Sequence, residues 1–188
     1  MTTLTSLPFT GDDDADSLLV AEPLALLIGF ALDQQVTVQK AFSGPAELKR
    51  RIGQLDAARI AATDPEALAS VFRTLPALHR FPGSMAERVQ ALCRAIADDY
   101  GNQAERVWTE AATGKDLEAR LLGLPGIGAI KAAAIIVIVG KRFGIKPPGW
   151  DEVAPRHPTL GDVDSAEALA AYQAGKKARK AALKAGKA

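Results

Sequence analysis

Leu124-Pro125-Gly126-Ile127-Gly128-Ala129-Ile130-Lys131-Ala132 decides the reading of this 188-residue chain. The stretch separates a helical segment, Leu117 to Leu122, from an apolar, helix-compatible run, Ala132 to Val139. Two glycines with one residue between them, set between helices, make a turn too tight for side chains and open to close approach by another molecule. Pro125 sits where a missing N–H costs little. The first N–H groups of the second helix lack intrahelical partners and carry the positive end of its dipole. An anion, above all a phosphate, is their natural ligand. A bare Gly-x-Gly would favour an ordinary helical corner; the fuller Leu-Pro-Gly-Ile-Gly with an apolar helix behind it favours phosphate.

The rest of the chain fits around packed helices. Hydrophobic residues make up 48% but aromatics only 5%, an Ala- and Leu-rich balance that favours helix over sheet. We expect an all-α fold. No apolar run reaches the roughly 18 residues of a membrane span. The polar, acidic start is unlike a secretion signal, so a cytoplasmic, nucleoid-associated location is expected. The single cysteine, Cys93, cannot form an internal disulfide, a four-cysteine zinc site or an iron–sulfur cluster, and reads as a small buried hydrophobe. Net charge is +1, unevenly spread. Lys176, Lys177, Arg179, Lys180, Lys184 and Lys187 leave 17 cations against 22 acids over residues 1–170, a balance of −5. Nucleic-acid binders are usually basic overall, so contact with DNA must rest on local features or on this tail. A soluble, fraying helix explains the tail equally well.

In chain order, residues 1–16 are expected to be loose. A helix then restarts at Pro23 and runs through the apolar Leu24 to Leu32 into Asp33-Gln34-Gln35-Val36-Thr37. Ser43-Gly44-Pro45 is predicted to open a further helix, and Thr63-Asp64-Pro65-Glu66 is a strong helix start. Leu75 to Gly83 is rich in turn residues, and Ser84-Met85-Ala86-Glu87 reads as a capping box. Thr113-Gly114 begins the helix that enters the hairpin. An Ala-rich basic helix over residues 165–184 closes the chain.

Several of these stretches together resemble the helix-hairpin-helix (HhH-GPD) DNA glycosylase superfamily, and most resemble a compact bacterial branch of it without an iron–sulfur cluster. The similarity covers about Glu22 to Asp151. It implies a helical barrel over 22–144, with the hairpin at 124–132, and a small second lobe from 1–21 and 145–188. It also implies double-stranded DNA as partner, gripped at Gly126, Ile127 and Gly128 through a monovalent cation held at Gly126 and Gly128. Gln35 matches the glutamine that fills the gap left by a flipped-out base; an amide suits that task because it both donates and accepts. Leu78 or His79 would be a second wedge, and Arg80 a phosphate contact. The superfamily's aspartate lies eight residues beyond a Phe-Gly, here Phe143-Gly144, which points to Asp151 as the catalytic acid. Its context, Gly149-Trp150-Asp151-Glu152-Val153, departs from the usual Val-Asp-Thr-His. The position of the lyase lysine is Ile130. Lys131 follows it and reads as a phosphate contact or a solvated cation.

The resemblance therefore implies a monomeric, monofunctional glycosylase of base excision repair that requires no cofactor and hydrolyses the N-glycosidic bond of a damaged or mispaired base. Two alternatives stand beside it: a non-catalytic DNA-binding module that kept the hairpin, and a helical protein-interaction module.

Overall fold

The computed structural model describes residues 4–186. Eleven α-helices, with no strand among the described residues, confirm the all-α expectation. They are α1 (Asp13–Ala21), α2 (Pro23–Leu32), α3 (Val38–Ile52), α4 (Ala57–Ala62), α5 (Pro65–Arg73), α6 (Pro82–Asp99), α7 (Arg106–Thr109), α8 (Gly114–Leu122), α9 (Ala129–Val137), α10 (Trp150–Val153) and α11 (Ala166–Ala185). No helix among these residues is long and apolar enough to cross a membrane.

Helix α2 is the centre. Every residue from Leu24 to Leu32 is buried, as its all-round apolar sequence demands. It crosses α3 through two reciprocal gaps: a Cβ on Gly29 would lie 2.5 Å from the Phe42 ring, and one on Gly44 2.5 Å from Leu32 Cδ1. That interlock explains why α3 does not begin at Ser43-Gly44-Pro45 as the residue types predict. The helix starts at Val38, capped by Thr37, and carries Pro45 inside it. Packing outweighs the lost hydrogen bond of one proline. Helix α6 lies against α2, α4 and α5. It starts at Pro82, two residues before the predicted capping box, because the proline ring already fixes a helical φ; its cap residue Phe81 offers no side-chain bond. The Asp64 cap on α5 and the Thr113 cap on α8 stand as expected.

The N-terminal expectation needs correction. Residues 4–16 are not loose: Leu7 is 1% exposed and Phe9 fully buried, its ring edge-on to Phe42 at 5.0 Å. The Asp16 carboxylate holds this plug by accepting from the Phe9 N–H at 3.1 Å, the Thr10 N–H at 2.8 Å and the Thr10 hydroxyl at 2.8 Å. Residues 1–3, and Lys187 of the tail, lie outside the described residues. One hydrophobic cluster runs from Leu7 to Leu169 and takes in Trp150, Leu160 and Val163.

Candidate nucleic-acid interface

Helices α8 and α9 form the hairpin. Gly126 turns the chain with φ +85, a region open to glycine at little cost. A Cβ there would also press on the Arg88 stem, 2.8 Å from Cδ. Gly128 differs: its backbone is extended, with φ −91 and ψ −179, and a Cβ would meet nothing within 4 Å. Neither conformation nor packing requires glycine at 128; the open space there faces outward. Gly128 caps α9 with no side-chain bond, and the first intrahelical bond runs from the Ala132 N–H to the Gly128 carbonyl at 2.9 Å. The amides of Ala129, Ile130 and Lys131 precede that first bond. Ile127 is buried and tethers the turn through its N–H to the Leu124 carbonyl, so it anchors the hairpin from within. Ile130 is 85% exposed.

Cations gather around this turn. Lys131 folds back to donate from Nζ to the Gly126 carbonyl at 3.1 Å. Burial holds its ammonium below the usual lysine range, opposed by Asp33 and helped by Arg88 and Lys176. Arg88, whose stem packs under Gly126, donates to Gln34 Oε1. Lys40 and Arg88 are near enough to help burial depress His79. Arg88, Lys131 and Lys176 thus concentrate positive charge around the hairpin of a chain whose body is acidic.

The two predicted intrusion loops are fastened together beneath this surface. Gln35 is exposed on left-handed backbone, φ +55, which is strained for a residue with a side chain. His79 is 1% exposed. Its Nδ1 accepts from the Phe81 N–H at 3.0 Å, which leaves Nε2–H to donate to the Leu32 and Gln34 carbonyls at 3.1 and 3.0 Å. Burial pushes its pKa down and keeps the ring neutral. Leu78 is 2% exposed. Neither Leu78 nor His79 can therefore be a wedge from this position; both are core, because the loop turns these side chains under α2. What the loop exposes is Arg80 and Phe81, the latter 39% exposed with the Arg80 guanidinium 4.9 Å from its ring centre.

Asp151 is exposed on α10, away from the hairpin's amides. Neighbouring Trp150 anchors that helix by donating from Nε1 to the Ile136 carbonyl at 3.0 Å and by packing on Gly140, where a Cβ would lie 2.3 Å from the ring. Ile136 and Gly140 lie well along the second hairpin helix from Gly128, roughly 12–18 Å by its rise. The spacing after Phe143-Gly144 does not bring Asp151 to the turn, because a π-helical turn over Ile138–Arg142 and the stiff Pro147-Pro148 carry the chain back over the far ends of α8 and α9. Trp150 is buried, as are Phe30 and the Cys93 thiol, whose pKa burial pushes up to about 12.

The carboxylate that does approach the turn is Asp33, the C-terminal cap of α2. Burial raises its pKa, with Lys176 and Lys131 drawing it back. An acid at the negative end of an apolar helix is electrostatically misplaced. That misfit is the signal that Leu32-Asp33-Gln34 carries in the sequence. Tyr172, its phenol held above the usual range by burial and by Asp33, faces the same group from α11. Gln39 and Gln173 exchange hydrogen bonds at 2.8 and 3.3 Å and tie that helix to α3. From Lys176 to Gly186 its residues are exposed.

The family model for the "HhH-GPD superfamily base excision DNA repair protein" matches residues 28–182. The chain belongs to that superfamily. No curated protein and no solved structure gives a match. The match spans the second half of α2, the Gln35 and Arg80 loops, the hairpin and most of α11.

The two hairpin oxygens expected to hold a monovalent cation each already accept one hydrogen bond. The Gly126 carbonyl is engaged by the Lys131 ammonium and the Gly128 carbonyl by the Ala132 N–H. A further positive ion there would meet Lys131 and Arg88. Among the described residues, no group of three or more His, Cys, Asp or Glu side chains could hold a metal ion.

Proposed function

We propose that this base excision DNA repair protein is a monofunctional DNA glycosylase that hydrolyses the N-glycosidic bond of a damaged or mispaired base turned out of the duplex. One observation carries the reading: a glycine-capped helix start, open at Gly128, with Arg88, Lys131 and Lys176 around it and the Asp33 carboxylate near Lys131. The amides and cations suit a phosphate strand. A carboxylate in a partly dry site suits the positive charge that develops on deoxyribose as the base departs, and a raised pKa makes it a better base toward water. Gln35 and the exposed Arg80–Phe81 pair are the groups available to occupy the gap. In this reading Asp33, not Asp151, supplies the acid. Ile130 offers no amine, which supports hydrolysis without a lyase step.

Excision assays on duplexes carrying uracil, hypoxanthine, oxidised and alkylated bases test the proposal. We expect Asp33→Asn to slow excision by about 10²–10³-fold and Asp151→Asn to match the parent. Inactivity of the parent across the panel rejects it.

The second reading, a DNA-binding module without chemistry, is favoured by one fact: the acid to which the superfamily spacing points is exposed and distant from the hairpin. It requires binding to duplex with no excision of any base.

A further inference from the structure

We propose that Arg88 is a positioning residue that ties the hairpin to the Gln34-Gln35 loop, so that a strand seated on the hairpin amides finds the Gln35 side chain already aimed at the gap left by an extruded base. The inference rests on the DNA-binding reading of the hairpin. Arg88 reaches both elements from α6. Its stem lies under the turn: a Cβ on Gly126 would be 2.8 Å from Cδ and 3.0 Å from Cγ, with the Ala31 methyl of α2 beside it at 3.5 Å. Its guanidinium then donates from Nη1 to Gln34 Oε1. One side chain therefore sets the spacing between the turn that grips a backbone and the loop that carries Gln35.

That loop needs a hold. Gln35 is exposed on left-handed backbone, φ +55, a conformation that persists in a residue with a side chain only where its surroundings over-determine it. The hold falls on the residue before it. The Gln34 N–H donates to the Leu32 carbonyl at 2.7 Å, the Gln34 carbonyl accepts from His79 Nε2 at 3.0 Å, and the side-chain oxygen accepts from Arg88. The first two bonds fasten the loop to the end of α2 and to the Arg80–Phe81 loop. The third joins it to the residue beneath the hairpin. A planar, permanently charged guanidinium suits this task, because it directs a donor at the amide while its stem fills the space under Gly126.

Fluorescence anisotropy with two labelled duplexes tests this, one undamaged and one carrying a tetrahydrofuran abasic analogue, which presents the gap with no base to extrude. The readout is the ratio of the two Kd values, because losing a plain backbone contact weakens both alike and leaves the ratio unchanged. The parent should prefer the abasic duplex. Arg88→Met keeps an unbranched stem under Gly126 and removes the guanidinium; Gln34→Leu removes the acceptor. Each should cut the preference by about fivefold or more. The double variant should lose no more than either alone, as expected of two groups acting as one unit. Gln34→Glu still accepts from the guanidinium and should keep the preference. An unchanged ratio in either single variant, or losses that multiply in the double one, overturns the inference. If Arg88→Met shows no cooperative melt by circular dichroism, the Gln34 pair decides: the inference falls unless Leu loses the preference and Glu retains it. A parent that binds both duplexes alike also overturns it. A parent that binds neither rejects the DNA reading itself, which is a distinct result.

Discussion

Replacing Gly128 with valine separates folding from DNA contact at the hairpin. The backbone at 128 is extended and a Cβ meets no atom within 4 Å, so a side chain introduces neither strain nor clash. Removing glycine's freedom from the unfolded chain is worth about 0.4–1 kcal/mol for alanine. In a chain of this size that is a rise of roughly 1–4 °C in Tm, which the poorer fit of valine at a helix N-cap offsets, so Tm should stay close to the parent value. Gly126 is the internal control. Its φ of +85 and the Arg88 Cδ at 2.8 Å from a Cβ oppose any side chain. The left-handed backbone alone costs about 1–2 kcal/mol, a fall of roughly 2–8 °C. Binding should divide the other way. A valine at 128 would cover amides that donate to phosphate, and hydrogen bonds to a charged acceptor are worth about 1.5–3 kcal/mol. Losing one weakens binding by roughly 10- to 150-fold. Anisotropy at fixed salt, paired with thermal melts, reads both quantities. A Gly128→Val protein that melts like the parent and binds duplex as tightly would refute the claim that these amides grip DNA.

Two further expectations follow from buried titrating groups. The folded pKa of His79 is depressed, so its contribution to stability is complete above the ordinary histidine value near 6.5 and is lost as pH falls below it. Tm should therefore decline between pH 6.5 and 5. His79→Leu should remove part of that decline while lowering Tm by several degrees throughout, since each orphaned buried group costs about 1–3 kcal/mol. Asp33 has the opposite sign. Its folded pKa is raised, so the penalty is absent below the ordinary carboxylate value of 3.8 and grows as pH rises through the folded one. Asp33→Asn should raise Tm at pH 8 and leave it unchanged near pH 3, as expected where a binding site holds a group the fold alone would not choose.

The helices were readable wherever local chemistry and packing agree. The all-round apolar α2, the caps at Asp64 and Thr113, and the glycine hairpin each have a cause within a few residues. Misreadings arose where the cause is distant in sequence. Phe9 looks like one aromatic in a polar leader until Phe42 is beside it. Pro45 looks like a helix start until Gly44 admits Leu32. Leu78 and His79 matched a wedge by position, but whether a loop side chain points out or under is decided by a partner, here the carbonyls that end α2. The spacing that points to Asp151 is counted along a chain that doubles back, and no short pattern marks Asp33 as partly buried among cations.

The imidazole of His79 makes one rigid piece of two loops that are 45 residues apart. Because the Gln35 bend and the Arg80–Phe81 tip hang from the same ring, neither can swing without the other. A duplex would therefore meet a fixed caliper rather than two independent fingers. The order in its jaws is set when the chain folds and need not be created at each encounter, and loosening that one pin should slow capture of DNA before it alters any atom that touches it.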